Sequence, residues 1–354
     1  MTEKVRIKDI AEKSGVSVGT VDRVLHNRPN VSKKAREKVE KVLKEINYQP
    51  NMYASALAYN KSYQFYCIIP QHDSEAYWEE IEDGTAKACE TRRDFHISTE
   101  IMYYQRYDIK SFVQTTKECL EKKPNGVIVV PADIKVTKHF CETMHERKIP
   151  FILLDSYIPD VNPLTFFGQD SFSSGKFAAK MLMLLAVNDK EIMLFKRMKN
   201  GKVASRQQEN RELGFRHYMN EHFPNVRIAE LDVPVEGSPE SNEKKLEQFF
   251  SAHPGIRNCI TLGSKAHIVG EFLLKTNRRS VQIMGYDMVE KNAQCLRKGS
   301  ISFLIAQHAY MQGYHCVDSL FKAIVLHKKV GPTNYMPIEL LSKENVDFYR
   351  RTQL

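Results

Sequence analysis

Apolar positions in the first 46 residues recur at helical spacing in three short stretches. Ile7, Ile10 and Ala11 share a face over residues 7–13. Val21, Val24 and Leu25 do so after Ser17, and Ala35, Val39, Val42, Leu43 and Ile46 after Ser32. Gly15 lies where a tight turn demands a positive φ, Ser17 and Ser32 read as N-caps, and Asn27-Arg28-Pro29 ends the second helix. Three short helices with a three-to-four-residue turn between the first two form a helix-turn-helix arrangement. Residues 51–61 make a short linker rich in helix formers, with Asn51 as its N-cap. Alone it falls below the ~12–15 residues a stable helix needs in water.

From residue 62 the period changes. Strands are predicted at Tyr63–Ile69, Ile97–Tyr103, Gly126–Val130, Phe151–Leu154, Glu191–Lys196, Arg227–Asp232, Asn258–Leu262 and Val281–Tyr286. Helices are predicted at Tyr77–Thr91, Ile109–Lys122, Val136–Glu146, Ser174–Val187, Asn210–His222, Glu243–Ala252 and Ala266–Thr276. Such alternation predicts parallel sheets covered by helices, and its length predicts two lobes rather than one sheet. The tail after about residue 330 is expected to cross back between the lobes and end in a strand at Ile338–Leu341. The predicted organisation is therefore 1–50, 51–61 and 62–354: an all-α reader, a linker and a two-lobed α/β domain.

Composition narrows the chemistry. Of the net charge of +9, residues 1–61 carry +6, with 13 Lys and Arg against 7 Asp and Glu. A basic excess concentrated in one short terminal domain points to a polyanionic partner, because each neutralised phosphate releases counterions. The seven cysteines form no Cys-x-x-Cys pair and the twelve histidines no His-x-x-x-His pair, so reduced thiols and no metal or cofactor are expected. The apolar stretch Met181–Val187 is far shorter than the ~20 residues of a spanning helix. The N-terminus shows no signal peptide, which predicts a cytoplasmic chain without membrane contact.

The run Ile7-Lys8-Asp9-Ile10-Ala11-Glu12-Lys13-Ser14-Gly15-Val16-Ser17-Val18-Gly19-Thr20-Val21 continues through Arg23-Val24-Leu25, Val31-Ser32 and Leu43-Lys44-Glu45-Ile46-Asn47-Tyr48-Gln49-Pro50-Asn51. Over these ~50 residues the chain resembles the lac-repressor (LacI/GalR) family of transcription regulators. The resemblance implies a second helix lying in the major groove of operator DNA, with Val18, Gly19 and Arg23 toward base edges. Arg23 can offer a bidentate fork to guanine, while Ser17 and Thr20 can donate to phosphate at the helix start. Asp22 departs from the family's usual serine and leaves the operator sequence open. The resemblance also implies a hinge helix that forms on DNA, with Leu57 wedged into the minor groove and Ala54 leaving room for close approach. An ordinary linker helix with Leu57 packed on the next domain is the alternative.

Residues 62–354 resemble the family's periplasmic-binding-protein-like effector domain, closest to ribose-binding-type members. The matching pieces are Tyr77-Trp78 with Asp83-Gly84, Pro150 to Asp155, Gly168-Gln169-Asp170, Leu213-Gly214-Phe215, Met284 to Asp287 and Ile305-Ala306-Gln307. That fold holds a small ligand between the lobes, beyond the strand C-termini. Asp155, Asp287 and Gln307 match polar ligand positions, and Tyr77 and Trp78 match stacking positions. The family's gripping arginine maps to Glu209, and its Asn-Asp pair to Ser264-Lys265. Arg206 and Arg211 stand near enough to substitute. A sugar or polyol heads the ligand classes, ahead of a phosphorylated sugar read through Lys265, Arg206 or Arg211, and of a nucleobase.

The leading reading is a non-enzymatic, dimeric, effector-controlled regulator of double-stranded operator DNA, since two headpieces must span adjacent half-sites. A transport binding protein lacks the signal peptide. An enzyme on this fold lacks any Gly-x-Ser-x-Gly elbow, phosphate loop or paired catalytic His and Cys.

Overall fold

The computed structural model describes residues 6–25, 29–46, 61–72, 77–203 and 205–349. The chain forms two compact units, Met1–Asn60 and Lys61–Leu354. The predicted linker positions Ala54 and Leu57 lie outside the described residues.

The first unit carries helices α1 (Ile7–Ser14), α2 (Val18–Leu25) and α3 (Lys33–Glu45). Asp9 accepts from the Arg6 backbone N–H at 2.7 Å, and Gly15, at φ 63°, closes α1 in the left-handed conformation. Ser17 accepts from Thr20 N at 3.2 Å and Ser32 from Ala35 N at 3.2 Å, so both predicted caps are formed. Ile10, Val21 and Val39, one from each helix, are fully buried at the centre of this small core.

The second unit begins with β1 (Tyr63–Pro70), α4 (Tyr77–Glu90), β2 (Ile97–Tyr104), α5 (Ile109–Glu121), β3 (Gly126–Val129), α6 (Ile134–Glu146), β4 (Phe151–Leu154) and β5 (Thr165–Gly168). Next come α7 (Ser171–Leu185), β6 (Glu191–Lys199), β7 (Lys202–Val203), α8 (Arg206–His222), β8 (Arg227–Pro234), α9 (Pro239–Ala252), β9 (Asn258–Ile260) and α10 (His267–Lys275). It closes with β10 (Gln282–Tyr286), α11 (Glu290–Arg297), β11 (Ile301–Ala306), α12 (Ala309–Leu320), β12 (Asn334–Tyr335), β13 (Glu339–Leu341) and α13 (Val346–Tyr349).

Two sheets result. The first runs β12-β5-β4-β3-β1-β2, with every pair parallel. The second runs β13-β11-β10-β9-β6-β7, with β8 also on β6, and only its β11–β13 and β6–β7 pairs are antiparallel. Strands β3, β4 and β5 are buried along their whole length, as continuous apolar runs between helix layers must be.

The chain passes between lobes three times: after β5, after β11 and between β12 and β13. Gln169, on the first crossing, ties all three. Its amide donates to Ala306 O at 2.8 Å and Pro337 O at 2.7 Å, and its oxygen accepts from Ser174 Oγ at 3.3 Å.

Each lobe is also clamped by a close helix pair. A Cβ on Gly84 of α4 would lie 2.0 Å from Tyr310 O of α12, and one on Gly313 would lie 2.1 Å from Ile81 O. In the other lobe, a Cβ on Gly175 of α7 would lie 2.0 Å from Arg211 O of α8, and one on Gly214 would lie 2.0 Å from Phe172 O. Four glycines thus set two backbone-to-backbone helix contacts.

Candidate functional site

The predicted DNA-reading residues lie around the part of α2 not occupied by the buried Val21 and Val24. Ser17, Val18, Gly19 and Arg23 are exposed there, while Thr20 and Asp22 are half-buried. Val18 is an apolar side chain left 45% exposed. A Cβ on Gly19 would meet nothing closer than Ser17 Oγ at 4.0 Å, so packing within this unit does not require glycine there. The Ser17 and Thr20 hydroxyls pair with each other at 2.9 Å, which orders the first turn of the helix. Five of the six predicted residues therefore lie on one short helix, and the sixth, Ser17, immediately precedes it.

In the second unit, Tyr77, Trp78 and Ser264 line a cleft of about 440 Å³ between the lobes. Its other walls include Gln71, Gln105 and Arg106 from the first lobe and Arg197, Gln208 and Lys265 from the second. The volume suits a small ligand of monosaccharide size or somewhat larger. Arg106 lies over the Trp78 ring at 5.5 Å, and Tyr77 meets that ring edge-on at 5.0 Å.

Asp155, Asp287 and Gln307 lie together beside the cleft, in a buried polar network rather than on its open wall. Asp155 follows β4 and Asp287 follows β10, each at φ 68°, so equivalent strand ends of the two lobes deliver one carboxylate apiece. Gln307 donates to Asp287 Oδ1 at 2.6 Å and accepts from Gln207 at 2.9 Å and from Arg211. Gln312 donates to the Tyr77 hydroxyl at 2.9 Å and to Gln307 O at 2.8 Å. Arg211 is 1% exposed, donates to Leu262 O at 3.1 Å and stacks on Tyr286 at 3.9 Å. Its Nε and Gln312 Oε1 are buried and unpaired among the described residues.

Besides Asp155, Asp287 and Gln307, two further predicted effector contacts lie off the cleft wall. Glu209 is exposed and lines neither cavity, and Arg206 lines a second cavity at the hinge. The phase of α8 explains both. Gln207, Arg211, Gly214 and Phe215 occupy its buried face at i, i+4, i+7 and i+8, and Glu209 lies some 200° around from Gln207. Of the two arginines near Glu209, Arg211 is the one that joins the buried network beside the cleft. Gln207 and Gln312 escaped the sequence reading; each is a polar residue near the start of its own helix's buried face.

Burial pushes the Asp287 carboxyl up to about 6, with Asp155 adding to the rise and Arg211 and Gln307 opposing it. Asp155 is raised as well, again chiefly by burial, with Arg211 and Ser156 pulling it down. The folded protein therefore binds a proton at Asp287 where the unfolded chain does not, between pH ~4 and ~6. Stability falls as pH rises through that window, by about 3 kcal/mol from this carboxyl. Melting curves from pH 7.5 to pH 5 should show wild type gaining on Asp287→Asn as the pH drops. Parallel curves would refute the assignment.

No helix among the described residues is long and apolar enough to cross a membrane, and no cluster there could hold a metal ion. The periplasmic binding protein domain family matches residues 65–329, and the bacterial regulatory proteins of the lacI family match residues 6–51. The HTH-type transcriptional regulator DegA of Bacillus subtilis is 27% identical over 219 residues, 62% of this chain and 61% of DegA. The ribose operon repressor of Halalkalibacterium halodurans is 24% identical over 289 residues, 79% of this chain and 80% of that one. Matches thus span less than two thirds of some relatives, DegA among them. A solved structure described as a LacI transcriptional regulator from Bacteroides fragilis is 44% identical, with a TM-score of 0.79 over 82% of this chain and 100% of that chain. A solute binding protein from Agrobacterium radiobacter, 18% identical with a TM-score of 0.70 over 83% of this chain and 99% of that one, shares the fold. With both family models matched in chain order, reader first and two-lobed domain second, this chain belongs to the lacI family of bacterial regulatory proteins.

Proposed function

We propose that the chain is a cytoplasmic transcription regulator, acting as a homodimer on a pseudo-palindromic operator under control of a carbohydrate-like effector. The observation that carries this reading is the pairing of two sites in one chain. One is an exposed reading face with Arg23 and no internal need for Gly19; the other is a two-lobed cleft beside a buried Asp155–Asp287–Arg211 network. Effector binding and operator binding are coupled reciprocally, since each shifts the lobes and headpieces that the other requires. Dimerisation supplies two headpieces at half-site spacing.

A phosphorylated sugar is the second reading, favoured by Arg106, Arg197 and Lys265 on the cleft wall. Capture of genomic DNA by the full-length protein tests the first reading, followed by titration of the enriched site. Arg23→Ala is expected to weaken binding to that site about tenfold to a hundredfold while leaving nonspecific binding nearly intact. Failure to enrich any discrete sequence would overturn the proposal.

A further inference from the structure

The hinge carries a second cavity of about 240 Å³, separate from the effector cleft and built from both lobes. Its first-lobe wall is aromatic. Tyr157 and Tyr335 flank the buried Phe166, with ring centroids 5.4 and 6.0 Å from it. Tyr157 and Tyr335 are both exposed, Tyr335 to 60%. From the second lobe come Phe172, also exposed, at the start of α7 just past the first crossing, and Arg206, the first residue of α8.

Arg206 is the chemical signal. The residue is half-buried, and its Nη1 is buried with no hydrogen-bond partner among the described residues. The carboxylate on the cavity wall, Asp170, is engaged elsewhere, accepting from Ser173 N and Ser173 Oγ at 3.0 Å each. A desolvated guanidinium donor without an acceptor is costly, and the group that best relieves it is an oxyanion. Exposed rings around that donor favour a ligand with a flat or cyclic apolar body.

We propose that this cavity is a second ligand site, for a small ring-bearing carboxylate whose carboxylate pairs with Arg206 and whose ring packs on Tyr157, Tyr335 and Phe172. The cavity is smaller than a usual drug-sized pocket, which restricts the ligand to a single ring with short substituents. Its position gives it leverage. Gln207 lines the cavity and also donates to Gln307 of the cleft network, and Gln169, the strap across the three crossings, forms part of its wall. A ligand that touches both lobes here favours one lobe angle over another.

The test uses the full-length protein with benzoate as the probe, and acetate and phenol as the charge-only and ring-only controls. Benzoate is expected to raise the melting temperature saturably, while acetate and phenol at equal concentration do so weakly or not at all. Arg206→Gln should weaken benzoate binding about tenfold or more, the loss of one charge-assisted pair. Tyr335→Ala, at an exposed position safe for folding, should weaken it severalfold and keeps the question decidable if the arginine variant folds poorly. Trp78→Phe in the cleft should leave it unchanged. The proposal is overturned if benzoate gives no saturable shift, as it would if water alone satisfies Arg206. It is equally overturned if Arg206→Gln and Tyr335→Ala bind as wild type does, or if the Trp78 variant loses the response.

Discussion

Replacing Arg211 by leucine should destabilise the second unit by about 3–5 kcal/mol at neutral pH, the usual cost of removing one partner from a buried ionic cluster. The guanidinium is the buried cation facing both Asp155 and Asp287, and it lowers the carboxyl of each against burial. Without it, two carboxylates from opposite lobes face each other in a medium that solvates neither, and Gln307 and Leu262 O each lose a donor. The loss should shrink on acidification, because protonation removes the uncompensated charge that causes it. Urea unfolding at pH 7.5 and pH 5.5 reads both effects. Adding Asp287→Asn to the leucine variant should recover part of the loss, a coupling that separates charge from simple packing. A loss below about 1 kcal/mol, independent of pH, would mean that Arg211 contributes little more than its bulk.

Much of this site was legible in the residues, and the part that was not has a common cause. Asp155 and Asp287 could be found because the family resemblance places polar ligand positions just past strands, and each follows a short, largely apolar strand. The headpiece was legible to its caps, since Ser17 and Ser32 act within three residues of themselves. By contrast, α8 begins a full turn before the predicted Asn210. Its cap, Ser205, precedes a polar run, Arg206 to Arg211, that shows no apolar stripe. The buried side of that run is polar because it faces Gln307 and the carboxylates across the fold, some 100 residues away in sequence. Strands β5 and β11 and helices α11 and α12 were likewise not predicted. β5 has only four residues, and α11 is a short helix of low mean hydropathy held by Asn292 hydrogen bonds to the carbonyls of Ser264, Tyr286 and Asp287. Periodicity reveals elements that bury apolar faces, and it is silent where the buried face is a hydrogen-bond network.

Gly175→Ala should cost about 1–3 kcal/mol or more, although alanine is the better helix former by roughly 1 kcal/mol. The new methyl would stand 2.0 Å from Arg211 O, 2.8 Å from its carbonyl carbon and 2.9 Å from its Cα. All three are backbone atoms, so no rotamer change relieves the clash and α7 and α8 must separate. The residue at that contact is Arg211 itself, so separation draws the guanidinium away from Asp287 and Gln307. The variant therefore carries a signature that plain overpacking lacks. As Arg211 withdraws, the Asp287 carboxyl moves further above 6, and the pH window in which stability falls shifts upward with it. Gly19→Ala in the first unit supplies the opposite case, a helical glycine with open space around it, where the same substitution should stabilise by up to ~1 kcal/mol. Denaturation of both variants across pH 5–8 distinguishes the two situations. A Gly175→Ala protein as stable as wild type, with an unshifted pH profile, would show that the α7–α8 contact does not hold Arg211 in place.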